Sequence, residues 1–517
     1  MTEAESESLS QVGRAETSVD MPVNSRNRFV VPLLIGLHLL ITIFLAFRLN
    51  IWVDEAFSLH TTAQGVRYAL HQALNFELQA PLYFVLLSVW RKLDSSIFAA
   101  RLFSVASVAL SLRVVASMSR RFWKDLHPGW VVAIVAFNPL TIAVAVDIRL
   151  YAQVLLLSAL LLVTFYDGYL ALVPSRRARI YYILLAIASL YTQYYLGFLL
   201  AGNACALLAL RRWRPLLQYV VGMVLAGLCF VPMVPFIQYQ MSAHTAPIQN
   251  PGTMLVVFKA ITWRMKFYLL PIGWDFTLEI RSWVLRGCYL AGFIILYRNR
   301  KRFTDDVVAL WTTTVVIAMC FLVIARLQGE TLLQARHTIA LFLPVNFAVV
   351  SLAMMAGNRR VVHCWVVLVL MFSFTGLYVY SKPMAKPGDW HRVGEYLMAH
   401  EKPDQPVLVF HAGAALPLSF YYTGSNVLVP VPRENTFERF DFHDYVLRDE
   451  REIIERLKSI PGEHMQIWLV TDEECGFADL SYHCDMVEEF VNKYYTTEET
   501  KSFRNSLVRR LKRKEPS

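Results

Sequence analysis

Asp54 and Glu55 stand side by side between Trp52 and Phe57, directly after the apolar run 29–49. That run is long enough to cross a bilayer. A carboxylate beside hydrocarbon is costly unless it is solvated, paired or protonated. The pair is therefore either an interfacial acidic patch just clear of the bilayer or a working group. The work that suits it is general base chemistry, removing the proton of a hydroxyl as that hydroxyl attacks. Further along, the apolar run 129–146 closes in Asp147-Ile148-Arg149-Leu150-Tyr151. This is either a local Asp–Arg pair, worth little at an interface, or a fixed guanidinium beside Tyr151. Arg264 and Lys266 lie among aromatics in Trp263-Arg264-Met265-Lys266-Phe267-Tyr268, and Arg336-His337 opens another apolar run. Basic groups among aromatics at a membrane edge suit a lipid phosphate and equally suit membrane anchoring. Taken together, a base and several cations suit attack on a sugar carried by a lipid phosphate, with Arg or Lys meeting the charge of the leaving phosphate.

The elements that must hold these groups are mostly membrane segments. The chain has 517 residues, 56% of them hydrophobic and 17% charged. That composition is polytopic and membrane-embedded. Eleven spans are expected, at 29–49, 97–118, 129–146, 151–173, 180–195, 196–210, 216–238, 281–297, 306–325, 335–356 and 361–380. Basic clusters such as Arg120/Arg121/Lys124, Arg176/Arg177/Arg179 and Arg298/Arg300/Lys301/Arg302 then share one side. By the positive-inside rule that side is cytoplasmic. The polar segment 1–28 becomes a disordered cytoplasmic tail, and Asp54, Glu55 and Arg149 face outward. The net charge of +10 reflects basic inner loops and does not argue for nucleic acid.

The outer loop 50–96 is expected to hold an amphipathic helix over 61–76, with Val66, Leu70, Ala73 and Leu74 on one face. A short interfacial or re-entrant segment follows at 80–87. The outer loop 239–280 reads as irregular. Residues 385–517 read as a soluble α/β domain. Its expected strands are 407–410 and 467–470, and its expected helices 393–400 and 444–460. An odd number of spans places this domain outside, where Cys475 and Cys484 could form a disulfide. Glu77 adds a further acid to the outer face.

These pieces resemble the GT-C superfamily of polyprenyl-phosphate-sugar-dependent glycosyltransferases, and most nearly the bacterial relatives of protein O-mannosyltransferases and of the lipid A aminoarabinose transferase. The resemblance is carried by Trp52-Val53-Asp54-Glu55, Ala80-Pro81-Leu82-Tyr83-Phe84, Ala99-Ala100-Arg101-Leu102-Phe103-Ser104, Asp147-Ile148-Arg149-Leu150-Tyr151, Ala335-Arg336-His337 and Gly388-Asp389-Trp390, in that order. It implies a mainly α GT-C-type helical bundle of about eleven spans in the bacterial inner membrane, with a small α/β C-terminal extracytoplasmic domain. Residues 29–384 form the transferase domain and 385–517 the outer domain. It implies Asp54 as general base with Glu55 in support. Arg149, with Tyr151 beside it, corresponds to an arginine expected near the donor phosphate and lipid, and Arg264, Lys266 and Arg336 are candidates for the same work by loop position alone. Glu77 lies where some relatives hold a metal, so a divalent cation is allowed. The implied reaction moves a sugar, mannosyltransferase-like and inverting, to a protein, lipid or glycan hydroxyl. Two departures stand out: Ala80-Pro81 where a double proline is frequent, and Arg336-His337 where Arg-Tyr is frequent. The rival class is a lipid or lipid-linked-sugar flippase, which would show repeats and broken midplane helices.

Overall fold

The computed structural model describes residues 29–242, 253–271, 275–300, 303–328, 334–380, 384–462, 464–477 and 480–515. The expected tail 1–28 lies outside them. Among the described residues, seven helices are long and apolar enough to cross a membrane: Val30–Arg48, Ile97–Phe122, Tyr151–Leu170, Trp213–Met241, Ile280–Asn299, Asp305–Leu327 and Arg359–Tyr378. The expected third span is a bent pair, Pro128–Ala136 and Pro139–Ala145, meeting at 66°. Proline explains the break, because Pro139 has no N–H for the preceding turn. Asn138 caps the new helix by accepting from Leu140 N at 3.0 Å. The carbonyl of Ala136 is met by His38 Nδ1 at 2.8 Å. A buried histidine in the first span is thereby accounted for as a structural partner of freed backbone. The expected spans at 180–195, 196–210 and 335–356 are shorter helices, Arg176–Leu190, Leu196–Ala209 and Ile339–Met355.

Loop 239–280 is not irregular throughout. It contains the helix Met254–Leu269. Val257, Ile261 and Tyr268 are buried at helical spacing, a face that the interleaved charges concealed. The outer loop 50–96 folds into three short helices, Val53–Thr61, Val66–Asn75 and Leu82–Trp90. The middle one turns a different face inward from the one expected. Ala69, Ala73 and Leu74 are buried while Val66 and Leu70 are exposed. Small residues win the inside because the Leu82–Trp90 helix packs closely there.

The C-terminal region is built on a five-stranded sheet of order β2-β1-β3-β7-β6. Its strands are β1 Val407–Phe410, β2 Leu428–Val431, β3 Gln466–Asp472, β6 Tyr495–Phe503 and β7 Ser506–Arg513, with a small hairpin of β4 Gly476–Phe477 and β5 Leu480–Ser481. β1 runs parallel to both β2 and β3, and β7 runs antiparallel to β3 and β6. The basic stretch Arg509-Arg510-Leu511 belongs to β7, an inner strand. Leu511 is buried, Arg509 pairs with Glu488 and Arg510 with Glu498 and Glu499. Helix Trp390–His400 covers one face through Trp390, Val393 and Leu397. Helix Cys484–Tyr494 covers the other through Val487, Phe490 and Val491.

Cys475 and Cys484 are disulfide-bonded across nine residues. Closing a loop of that size contributes about 2–3 kcal/mol in the chain-entropy account. The double variant Cys475→Ser/Cys484→Ser is expected to lower the unfolding free energy of this domain by that amount, read by tryptophan fluorescence as a lower urea midpoint. An unchanged midpoint would mean the unfolded chain is not constrained by the bond.

Candidate functional site

Helix Val53–Thr61 begins one residue after Trp52, and its first turn carries Asp54 and Glu55. Acids in a first turn face the positive end of the helix dipole. The two then part ways, because successive helical residues point about 100° apart. Glu55 turns inward and is fully buried. Arg101 grips it with two bonds of 3.1 Å, from Nε to Oε1 and from Nη2 to Oε2. Lys386 Nζ reaches Oε2 at 2.8 Å, and Ile148 N donates to Oε1 at 3.1 Å. Arg101 spends its remaining donors on the carbonyls of Ala46, Leu49 and Asn50. One buried carboxylate thus ties together the end of the first span, the second span, the 146–150 turn and the segment after the last span. Lys386 also bonds Asp147, and Asn50 Oδ1 accepts from Lys386 N at 2.7 Å. Burial alone would raise the Asp147 carboxyl, but Lys386 overrides it and holds it below the usual carboxylate range. Glu55 is consequently a positioning group with both oxygens engaged.

Asp54 turns outward and its side chain stays 28% exposed. Arg336 Nη1 meets Asp54 Oδ2 at 3.2 Å, the one ion pair to Asp54 among the described residues. The Arg336 guanidinium also lies 4.6 Å over the Trp52 ring, which fixes it beside the carboxylate.

Arg149 is placed differently from the expectation of an arginine facing the donor. It is buried, and Nη1 donates to Glu77 Oε2 at 2.9 Å, Ser58 Oγ at 3.0 Å and the Asp54 carbonyl at 3.3 Å. Burial opposes its charge, but Glu77 and Asp54 more than offset this and hold the guanidinium above its ordinary value. Glu77, the expected metal residue, is engaged on both oxygens, by Arg149 and by Thr61 Oγ1 at 3.2 Å. That leaves it bonded as an internal partner of Arg149. Tyr151 is buried with its ring 5.9 Å from His337. Arg264 and Lys266 lie on helix Met254–Leu269. The Arg264 side chain lies outside the described residues, and Lys266 is half-buried. The end of that helix is tied to the Arg336 segment, since Tyr268 Oη donates to the Ala335 carbonyl at 3.2 Å.

Arg101 and Lys386 were not singled out from the sequence as parts of the site. Arg101 sits in the quoted Ala99–Ser104 motif, and Lys386 stands two residues before Gly388-Asp389-Trp390. Nothing in linear spacing pairs either residue with Glu55. The C-terminal domain also reaches this site. Tyr421 Oη accepts from Ile51 N at 2.8 Å, and Phe440 packs on Phe57 with ring centroids 5.6 Å apart. Glu474, just past β3, is within electrostatic reach of Asp54 and Arg336.

No protein-family model matches the chain. No curated protein sequence matches it either. Among solved structures, it is similar to ArnT from Cupriavidus metallidurans in the apo state, with 13% identity and a TM-score of 0.46, covering 93% of this chain and 97% of that one. The same ArnT bound to undecaprenyl phosphate aligns over the same shares with 13% identity and a TM-score of 0.43. An Archaeoglobus fulgidus oligosaccharyltransferase in complex with Zn and sulfate aligns with 11% identity and a TM-score of 0.46, covering 84% of this chain and 68% of that one. At these identities and TM-scores the likeness carries nothing about activity, and the site has to speak for itself.

Proposed function

We propose that this chain is an integral-membrane glycosyltransferase that moves a sugar from a polyprenyl-phosphate donor to an acceptor hydroxyl on the outer face. The observation that carries the reading is the separation of the Asp54–Glu55 pair. One carboxylate is locked into a buried ion cluster, and its neighbour is presented, half-open, beside a guanidinium at a membrane edge. In the proposed step the acceptor oxygen bonds to the anomeric carbon and its proton passes to Asp54. The bond from that carbon to the phosphate oxygen breaks, and the electron pair leaves with the phosphate. Arg336 meets the developing charge. Displacement from the far face inverts the anomeric centre. Arg149 acts from behind by holding the Asp54 backbone and Ser58. Lys266 and Arg264, on the helix tied to the Arg336 segment, are further cations for the lipid phosphate, and Tyr151 is a hydroxyl for the same end of the donor. The acceptor class, protein, lipid or glycan, and a mannose-like sugar belong to this reading only as expectations. The disulfide suits an exported outer domain and hence a cytoplasmic N-terminus in a bacterial inner membrane.

A guanidinium contact to phosphate is worth about 1.5–3 kcal/mol, roughly tenfold to a hundredfold in kcat/KM. Arg336→Ala is expected to lose that much donor efficiency, and Arg336→Lys to lose less. The check is donor titration in a radiolabel transfer assay. If Arg336→Ala keeps wild-type kcat/KM, Arg336 does not meet the phosphate.

The test of the function itself is transfer of labelled sugar from a panel of polyprenyl-phosphate sugars by the purified chain in nanodiscs. Cleavage of the donor with transfer of label supports an enzyme. Movement of intact donor across the bilayer without cleavage supports the flippase instead.

A further inference from the structure

We propose that His411, Asp472 and Glu474 form a divalent-cation site, of the Zn2+ or Mn2+ class, on the outer domain where it approaches Asp54 and Arg336.

The topology places the three together. β1 ends at Phe410 and β3 ends at Asp472, and the two strands are parallel neighbours with Phe410 opposite Thr471. His411 and Asp472 therefore project from adjacent carboxyl ends. The chain leaves β1 to make β2 on one side and returns to make β3 on the other. That is the point where strand order reverses, the place where open α/β sheets hold ligands. One ligand atom from each of His411, Asp472 and Glu474 lies within 4.8 Å of the others.

The groups are poorly served without an ion. His411 is only 5% exposed, and its Nδ1 has no hydrogen-bond partner. Its Nε2 stops 3.8 Å from Asp472 Oδ2. That is too far for a hydrogen bond. It is close to the roughly 3.4 Å that separates two ligands held about 2.1 Å from one tetrahedral ion. The other oxygen, Asp472 Oδ1, is oriented by Glu474 N at 2.6 Å, which leaves Oδ2 turned to the imidazole. No lysine or arginine is ion-paired with Asp472 or Glu474 among the described residues.

The frame is stiff. Tyr445 and Tyr482 rings flank the imidazole at 4.7 and 5.1 Å, and the disulfide anchors Cys475, the residue after Glu474. One imidazole with two carboxylates suits Zn2+ or Mn2+ better than a soft ion or Ca2+. Three protein ligands leave a position for water or for an anionic oxygen. This site differs from Glu77, whose oxygens are already taken.

The experiment uses the full chain in nanodiscs, stripped with chelator, then equilibrated with Zn2+ or Mn2+ and desalted. Bound metal is counted by mass spectrometry, and affinity is measured by competition with a chelating dye. The expected result is one ion per chain, with affinity at least tenfold weaker in Asp472→Asn and in Glu474→Gln and unchanged in Glu488→Gln. Glu474 is exposed, so Glu474→Gln should fold and carry the test even if Asp472→Asn does not. No retained ion of either kind in the wild type, or equal affinity in Glu474→Gln, would overturn the proposal.

Discussion

Asp54→Asn is expected to lower sugar transfer by about two orders of magnitude or more, the scale on which a general base acts. The substitution is nearly isosteric and removes the negative charge, and with it the ability to take a proton. Arg336 would lose its ion pair but keep its seat over Trp52. Affinity for a polyprenyl phosphate should therefore change little while kcat falls. A loss confined to KM would instead make Asp54 a binding group. Turnover within a few fold of wild type would remove it from the chemistry.

Arg101→Met should cost about 3–5 kcal/mol, because it takes both guanidinium bonds from a fully buried carboxylate and leaves it Lys386, a cation shared with Asp147. The same change frees three backbone carbonyls at the end of the first span. The expected readout is a large drop in melting temperature in detergent and in the folded fraction recovered by size exclusion. The double variant Arg101→Met/Glu55→Gln should recover part of the loss, since Lys386 then has Asp147 alone to neutralise. A single variant that melts with the wild type would mean the cluster does not hold the outer ends of the spans together.

The membrane bundle was legible because long apolar runs have few alternatives in structure. Val30–Arg48, Ile97–Phe122 and Arg359–Tyr378 fall close to the expected spans. The bent third span was not, although Asn138-Pro139 was there to be seen: a break inside one apolar run leaves total hydropathy unchanged. Helix Val66–Asn75 was foreseen with the wrong face, because hydropathy ranks Val and Leu above Ala while close helix packing favours the small side chain. In the outer domain β1 and β3 were legible as apolar strands. β7 was hidden because its basic residues interrupt the apolar pattern on both faces, and only the fold supplies the acids Glu488, Glu498 and Glu499 that pair with Arg509 and Arg510. Within the site, adjacency on the chain suggested that Asp54 and Glu55 act as a pair. The helix separates them, and only the fold brings Arg101 and Lys386 to Glu55. Arg149, read as open to ligand, is turned inward by Glu77, a partner 72 residues away.

The central claim is that a lipid-linked sugar is cleaved beside Asp54. The most direct measurement offers radiolabelled polyprenyl-phosphate sugars, with membrane extract as acceptor, to the wild type and to Asp54→Asn in nanodiscs. The account predicts that label leaves the lipid with the wild type alone, while both proteins bind the polyprenyl phosphate. Equal transfer by both, or translocation of uncleaved donor by the wild type, would contradict it.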